Sequence, residues 1–424
     1  MKILVMHQVP YRKVQYHLSI DHQQHDVWYF GTPDGLAQLP EGLCCERVAL
    51  EPGADLAGQI VARTGPEDGF EAVLALSEFG ILEAVRVREH LNLPGPDAAS
   101  MELVRDKVAM KQALVGAGVR HPRFASWPLA STTLPWTGRT VVKPRRGASS
   151  EGVTIHPGVE EALARLRTLP DADGYQLEEY IDGAVLHADA LVADGEVEHL
   201  VVSRYVGRPV DFTEGLPIGS SQHPTQQRHR DFVTAAVSAL RIESGCIHLE
   251  FFETGDGEPV FLEVANRLGG GGIVDSHLRH TGVHLPSHEI ARRLGFEPPA
   301  LQPRSGSYHG FLIFPGHRSA GAAATVVVPQ ELRDHPCVDR IHVLDRRDSG
   351  GTAPGRVTYQ EWEVPVFVEA SHPDPSVLAR FIARCAAEIQ VRTEESAVRT
   401  SAVRTEESTA RALESTAEPE GALL

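Results

Sequence analysis

Along the first hundred residues, short apolar runs alternate with amphipathic stretches. Residues 3–6, 27–30 and 72–76 are apolar runs of strand length, and 81–90 places apolar residues at helical spacing before the break at Leu93, Pro94, Gly95 and Pro96. This alternation predicts an open α/β sheet, and such sheets bind ligands beyond the carboxyl ends of their strands. Glu78, just past the 72–76 run, is then aimed at a cleft, although a solvated loop acid would read the same way.

The pattern then changes. Residues 100–115 carry apolar positions at helical spacing and run into Gly116, Ala117 and Gly118, a helix end ahead of Pro122. A strand at 140–143, a helix at 159–167 and a strand at 175–181 make a small α+β lobe. From 184 to 389 strands dominate, with helices near 229–240, 284–294 and 375–387, which predicts a larger lobe on an antiparallel sheet. The end differs in kind: VRTEES occurs at 391–396 and again at 403–408 with almost no large apolar residues. Such a segment cannot bury a core and is expected to be a mobile or weakly helical tail with no catalytic role. The expected division is 1–99, 100–183, 184–390 and 391–424.

Length agrees with several lobes, since 424 residues exceed the roughly 100–200 of an ordinary domain. A formal net charge of -17 argues against nucleic acid or an anionic membrane as the main partner, because both need clustered Lys and Arg. Local basic sites for small anions remain compatible with it. The five cysteines show no CxxC spacing and read as free thiols in a reducing compartment. The opening apolar run ends before His7 and Pro10, too short for a signal-peptide core, so the cytoplasm is expected.

Candidate chemistry lies in four places. Lys143 ends an apolar strand before a loop with Gly147, Ser149, Ser150 and Gly152, where backbone N–H groups can meet phosphate oxygens and the lysine adds a charge. No Walker A pattern is present, and a surface hairpin accounts for the loop equally well. The segment QLEEYIDG at 176–183 can offer backbone groups and an acid to a purine edge, or be an exposed strand end. His248 and Glu250 share a strand face, and the turn at Gly255, Asp256 and Gly257 predicts a hairpin that returns Glu263 beside Glu250. Two carboxylates so placed repel unless a cation lies between them, and hard oxygen ligands favour Mg²⁺; a solvated cross-strand pair is the plainer alternative. Finally, FLEVANRLGGGG at 261–272 ends in four glycines, each worth about 0.5–1 kcal/mol less than alanine in regular structure, which suggests close approach to the backbone.

Taken in order, these features resemble the ATP-grasp family, in particular its carboxylate-amine ligases, over residues 1–387. The resemblance implies an N-terminal Rossmann-like open sheet, a small α+β lobe and a large antiparallel-sheet lobe, with ATP and Mg²⁺ (or Mn²⁺) bound between them. It implies that Lys107 reaches the α-phosphate, that Lys143 contacts the α- and β-phosphates beneath the loop with Ser149 and Ser150, and that Glu178, Glu179 and Ile181 hold adenine. Glu250 and Glu263 would hold the metal. Arg267 would steady the transferred phosphate, with Gly270 and Gly271 lining the acceptor end. An ADP-forming ligase is implied, one that activates a carboxylate as an acyl-phosphate and joins it to an amine. A carrier-protein thiol as acceptor and a nucleotide-binding protein without ligase activity are the alternatives, and a homodimer is compatible with either.

Two departures stand out. Gly183 is followed by Ala184, Val185 and Leu186, where the family often has a ribose-binding glutamate. The usual Glu-x-Asn metal motif is here Glu263, Val264, Ala265, Asn266, which in a strand turns Asn266 to the opposite face, so that it ligates metal only if the chain bends. Arg204 is the further candidate for a substrate carboxylate. The histidines at 277, 280, 284 and 288 invite a zinc reading, but Gly282 and Pro286 interrupt a single helix. His17, Asp21, His22 and His25 read mainly as a solvated face.

Overall fold

The structure is a computed structural model that describes residues 1–128, 134–317, 324–344 and 357–393. Its N-terminal sheet is parallel. Strands β1 (Lys2–Met6), β2 (Asp26–Gly31), β3 (Glu46–Ala49) and β4 (Ala72–Ala75) lie in the order β3-β2-β1-β4. One face packs Leu4, Met6 and Phe30 on helices Leu56–Val61 and Ile81–His90. The other packs Ile3, Val5 and Tyr29 against Ile290 and Leu294 of helix Leu285–Leu294, which belongs to the large lobe. The carboxyl end of β4 is thereby fixed against the rest of the molecule.

The small lobe pairs β5 (Phe124–Ser126), β6 (Thr140–Pro144), β7 (Thr154–His156) and β8 (Tyr175–Glu179) in the order β5-β8-β6-β7, with helix Val159–Arg167 on one face. The large lobe joins β9 (Ala184–Ala193), β10 (Glu196–Val206), β11 (Ile218–His223), β12 (Ser244–Glu253), β13 (Pro259–Ala265), β14 (Tyr308–Phe314), β16 (Val338–Val343) and β17 (Val366–His372) into one antiparallel sheet. A separate pair joins β15 (Ala324–Val327) to β18 (Gln390–Thr393). Alternation along β9 sets the faces. Leu186, Ala188, Ala190 and Val192 enter the core against helix Gln227–Ala239, and His187 and Asp189 turn to the other side.

Three expectations need correction. The helix expected over 100–115 is two helices, Ala98–Glu102 and Lys107–Leu114, because Asp106 caps the second by accepting from Val108 N and Ala109 N. Residues 391–393, placed in the tail, form part of β18; the tail from 394 lies outside the described residues. The four histidines from 277 to 288 do not converge on a metal: His277 lies against His199 O and Val283 O, His280 against Ser307 O and His284 against Lys13 O. His22 is buried against Tyr29 rather than solvated. Among the described residues no helix is long and apolar enough to cross a membrane.

Burial pulls the His7, His284 and His309 imidazoles down from the ordinary 6.5 to about 4 each. Below 6.5 the unfolded chain then binds protons that the folded chain refuses, so their contribution is whole above 6.5 and is lost as pH falls towards 4. The urea midpoint should fall steadily from pH 7 to 4.5, and less steeply in His309→Asn; a midpoint that holds level across this window would refute the account.

Candidate active site

Val142 and Leu177 turn into the small lobe's core with Ala162 and Leu166, so Val141, Lys143 and Glu178 are turned to the cleft. They line a cavity of about 130 Å³ whose apolar walls include Val153, Ile155, Ile181, Val185, Phe252 and Leu262. Glu178 is buried between two ammonium groups, Lys111 Nζ at 2.6 Å and Lys143 Nζ at 3.0 Å. Burial alone would raise its carboxyl, but the two lysines overcome this and hold it low. Burial in turn pulls Lys111 down to about 8 against the opposing pull of Glu178. Two lysines on one carboxylate leave a net positive charge facing the cavity.

The donors around this cavity fit a nucleotide. The amides of Gly147, Ala148, Ser149 and Ser150 donate to no described residue, and Ser149 and Ser150 hold φ of 57°, the left-handed region that turns successive N–H groups the same way. Lys107 Nζ lies 2.8 Å from Gly147 O and 3.3 Å from Glu263 Oε2, beneath the same loop. Ile181 is buried, and its N–H and C=O make no hydrogen bond with a described residue. Glu179 borders the cavity while its carboxylate is held by Arg123, whose N and Nε donate at 2.9 and 2.6 Å. The Glu178 carboxylate, expected near a purine amino group, is instead taken up by the lysines.

Glu250 stands directly opposite Glu263 across the β12–β13 ladder, as the hairpin predicted. Both border this cavity and a second one of about 300 Å³. Glu250 Oε1 accepts from Tyr205 Oη at 2.7 Å and lies 3.4 Å from His248 Nε2. His248 Nδ1 lies 2.9 Å from Asp189, which also meets His187 Nδ1 at 2.6 Å. Burial alone would raise the Glu250 carboxyl, but the His248 and Tyr205 contacts hold it down at about 2. Two carboxylates facing one gap form the hard oxygen donor set that Mg²⁺ or Mn²⁺ takes.

Two expected ligands are elsewhere. Asn266 does not turn to the acids: its Nδ2 donates to Cys246 O at 2.9 Å and Ser244 O at 3.2 Å, and it lines neither cavity. Arg204 is exposed and pairs in register with Leu186, a core-facing residue, so it lies on the sheet face away from the cleft. Tyr205, one residue on, takes the cleft face.

At the far end of the larger cavity, Glu78 joins two arginines, Arg267 Nε at 2.8 Å and Arg105 Nη1. Arg105 was not singled out from the sequence, nor were Lys111 and Tyr205; the four-residue step from Lys107 to Lys111 on one helix was the available signal. The glycine run has a packing reason. A Cβ at Gly269 would meet Asp189 Oδ1 at 2.7 Å, and one at Gly271 or Gly272 would meet the Phe311 ring at 2.7 or 2.9 Å. Gly270 faces the open cavity towards Tyr359.

Residues 104–271 match the family described as ATP-grasp domain. The L-arginine-specific L-amino acid ligase of Bacillus subtilis is 26% identical over 229 residues, 50% of this chain and 54% of its own length. This chain thus spans about half the length of the curated relatives it matches. The L-amino acid ligase from Bacillus licheniformis superposes with a TM-score of 0.68 at 22% identity, over 92% of this chain and 98% of that one. The carboxyaminoimidazole ribonucleotide synthase from Aspergillus clavatus, complexed with ATP, gives 0.62 at 14% identity, over 91% and 97%. The chain carries an ATP-grasp domain and has the ATP-grasp fold.

The buried lysine pair generates a stability test. Lys111→Met should cost about 3 kcal/mol, the lower end for breaking a buried pair because Lys143 remains. Lys111→Met with Glu178→Gln should cost less than the two single changes summed, by about 1 kcal/mol in urea denaturation. Strict additivity would mean that Lys111 does not hold Glu178.

Proposed function

We propose that this ATP-grasp chain is an ADP-forming ligase that activates a carboxylate and joins it to an amine, with amino acids as the substrate class. The observation that carries the reading is the junction of the two cavities. The smaller and the larger share Lys107, Gly147, Ala148, Ser150, Glu250 and Glu263, so phosphate-binding donors and paired acids stand where a nucleotide would meet a second substrate. The L-amino acid ligases among the relatives support the substrate class.

Adenine would lie between Ile155, Ile181 and Leu262 and use the free backbone groups of Ile181. The amides of 147–150, Lys107 and Lys143 would hold the phosphates. Glu250 and Glu263 would hold Mg²⁺, which when bound supplies positive charge at the phosphate oxygens. The substrate carboxylate oxygen forms a bond to the γ-phosphorus as the bond to ADP breaks, giving an acyl-phosphate. The amine nitrogen then bonds the acyl carbon, phosphate leaves with the C–O bond electrons, and the amine loses its proton. Arg267, steadied by Glu78, faces the larger cavity and offsets the negative charge gathered in both steps. Preorganised charge and orientation carry such chemistry, since phosphoryl transfer needs little covalent help.

Incubation with ATP, Mg²⁺ and pairs of amino acids should release ADP and phosphate and yield a product lighter than the pair by one water. Glu263→Gln and Lys143→Ala should each lower kcat/KM by roughly 10²–10³ while leaving the folded spectrum intact. Tight ATP binding with no amine-dependent ADP would leave a nucleotide-binding protein instead.

A further inference from the structure

One cation at the far end of the cleft has no part in the reading above. The larger cavity is bordered by the cations Lys13, Arg105, Lys107 and Arg267 and the carboxylates Glu78, Glu250 and Glu263. Glu78 holds Arg105 and Arg267, Glu263 holds Lys107, and Glu250 is held by Tyr205 and His248. Lys13 has no carboxylate within 4 Å among the described residues. Its Nζ makes one hydrogen bond, to Gly271 O at 2.8 Å, and an ammonium has three N–H to give.

Its position is fixed at both ends. The backbone C=O of Lys13 lies 3.1 Å from His284 Nε2, and the side-chain tip rests on Gly271. Lys13 and Gly271 also border a side cavity of about 280 Å³ with Arg12, Asp275, Arg340, Glu361, Trp362 and Glu369. There Glu361 is paired with Arg12 and Arg340, and Glu369 with Arg340, while Asp275 acts on Lys13 through its charge from beyond ion-pair distance. Neither the acids Glu250 and Glu263 nor any residue of the phosphate loop borders that side cavity. Lys13 borders both the larger cavity and this one, but of the two only the larger is bordered by Glu250, Glu263 and the phosphate loop. The carboxylate to be activated must reach those acids, so a carboxylate held by Lys13 from the side cavity is a second one.

We propose that Lys13 anchors a free carboxylate on the acceptor, so that the second substrate is an amino acid with its amine towards Arg267 and its carboxylate on Lys13. This rests on the ligase reading and narrows it. The product keeps a free carboxylate, and amines or amino acid amides are poor acceptors. A charge-assisted hydrogen bond of this kind is worth about 10- to 100-fold in acceptor kcat/KM.

The test takes the best acceptor amino acid from the product screen and its own amide, with the first substrate and ATP saturating. Wild-type protein should prefer the acid by that factor, mainly through KM. Lys13→Met should bring the ratio near one, and Lys13→Arg should restore part of the preference, with the KM for ATP as the check on folding. Equal use of acid and amide by wild type overturns the proposal. So does a Lys13→Met that lowers both in parallel, keeps the preference, or raises the KM of the first substrate instead. Absence of ADP release with every pair despite ATP binding defeats the ligase reading itself, and this proposal with it.

Discussion

Two like charges facing each other across a β-ladder set the terms for everything around them. Glu250 and Glu263 are opposite in register, and directly opposed like charges destabilise a strand pair. The molecule answers this with positive charge and donors: Lys107 beside Glu263, Tyr205 and His248 on Glu250, and Asp189 behind His248. The two strands are held by core-facing Leu249, Phe251, Phe261 and Val264, so the acids cannot move apart to relieve the repulsion. What remains is a fixed, charged gap at the meeting of two cavities.

The same logic operates in the small lobe with the signs reversed. Lys111 and Lys143 converge on the buried Glu178, and the surplus of one positive charge faces the space that borders the loop amides. A buried ion cluster of this sort is weak evidence for stability in itself, because desolvation opposes it. Its value here lies in orientation: Lys143 is held against the sheet beneath loop amides that donate to no described residue.

Much of this was legible from residue order. Strong periodicity located helices 81–90 and 159–167 to the residue, and the Gly-Asp-Gly turn placed Glu250 against Glu263. What escaped was whatever depended on which face a residue takes. Arg204 and Tyr205 are adjacent polar residues on a strand, and only the pairing of β10 with β9 puts tyrosine in the cleft. Asn266 follows the end of β13, where backbone carbonyls of β12 capture its amide. Short strand β3 holds only two apolar residues, Val48 and Ala49, and neither is fully buried, so its run is too short to read as a strand. Lys13 and Lys111 look like ordinary surface lysines until distant segments, Gly271 and Glu178, are folded onto them.

The glycines at 269–272 have a consequence for how such a cleft can change over generations. Positions with no side chain offer nothing to vary, and Phe311, which fills the space behind them, stacks in parallel on Phe367 of β17 within a buried cluster. Reshaping this wall of the larger cavity therefore begins with substitutions in the interior of the sheet, where altered volume is felt in stability. In a lineage of these proteins, the shape of the larger cavity and the robustness of the fold would drift together.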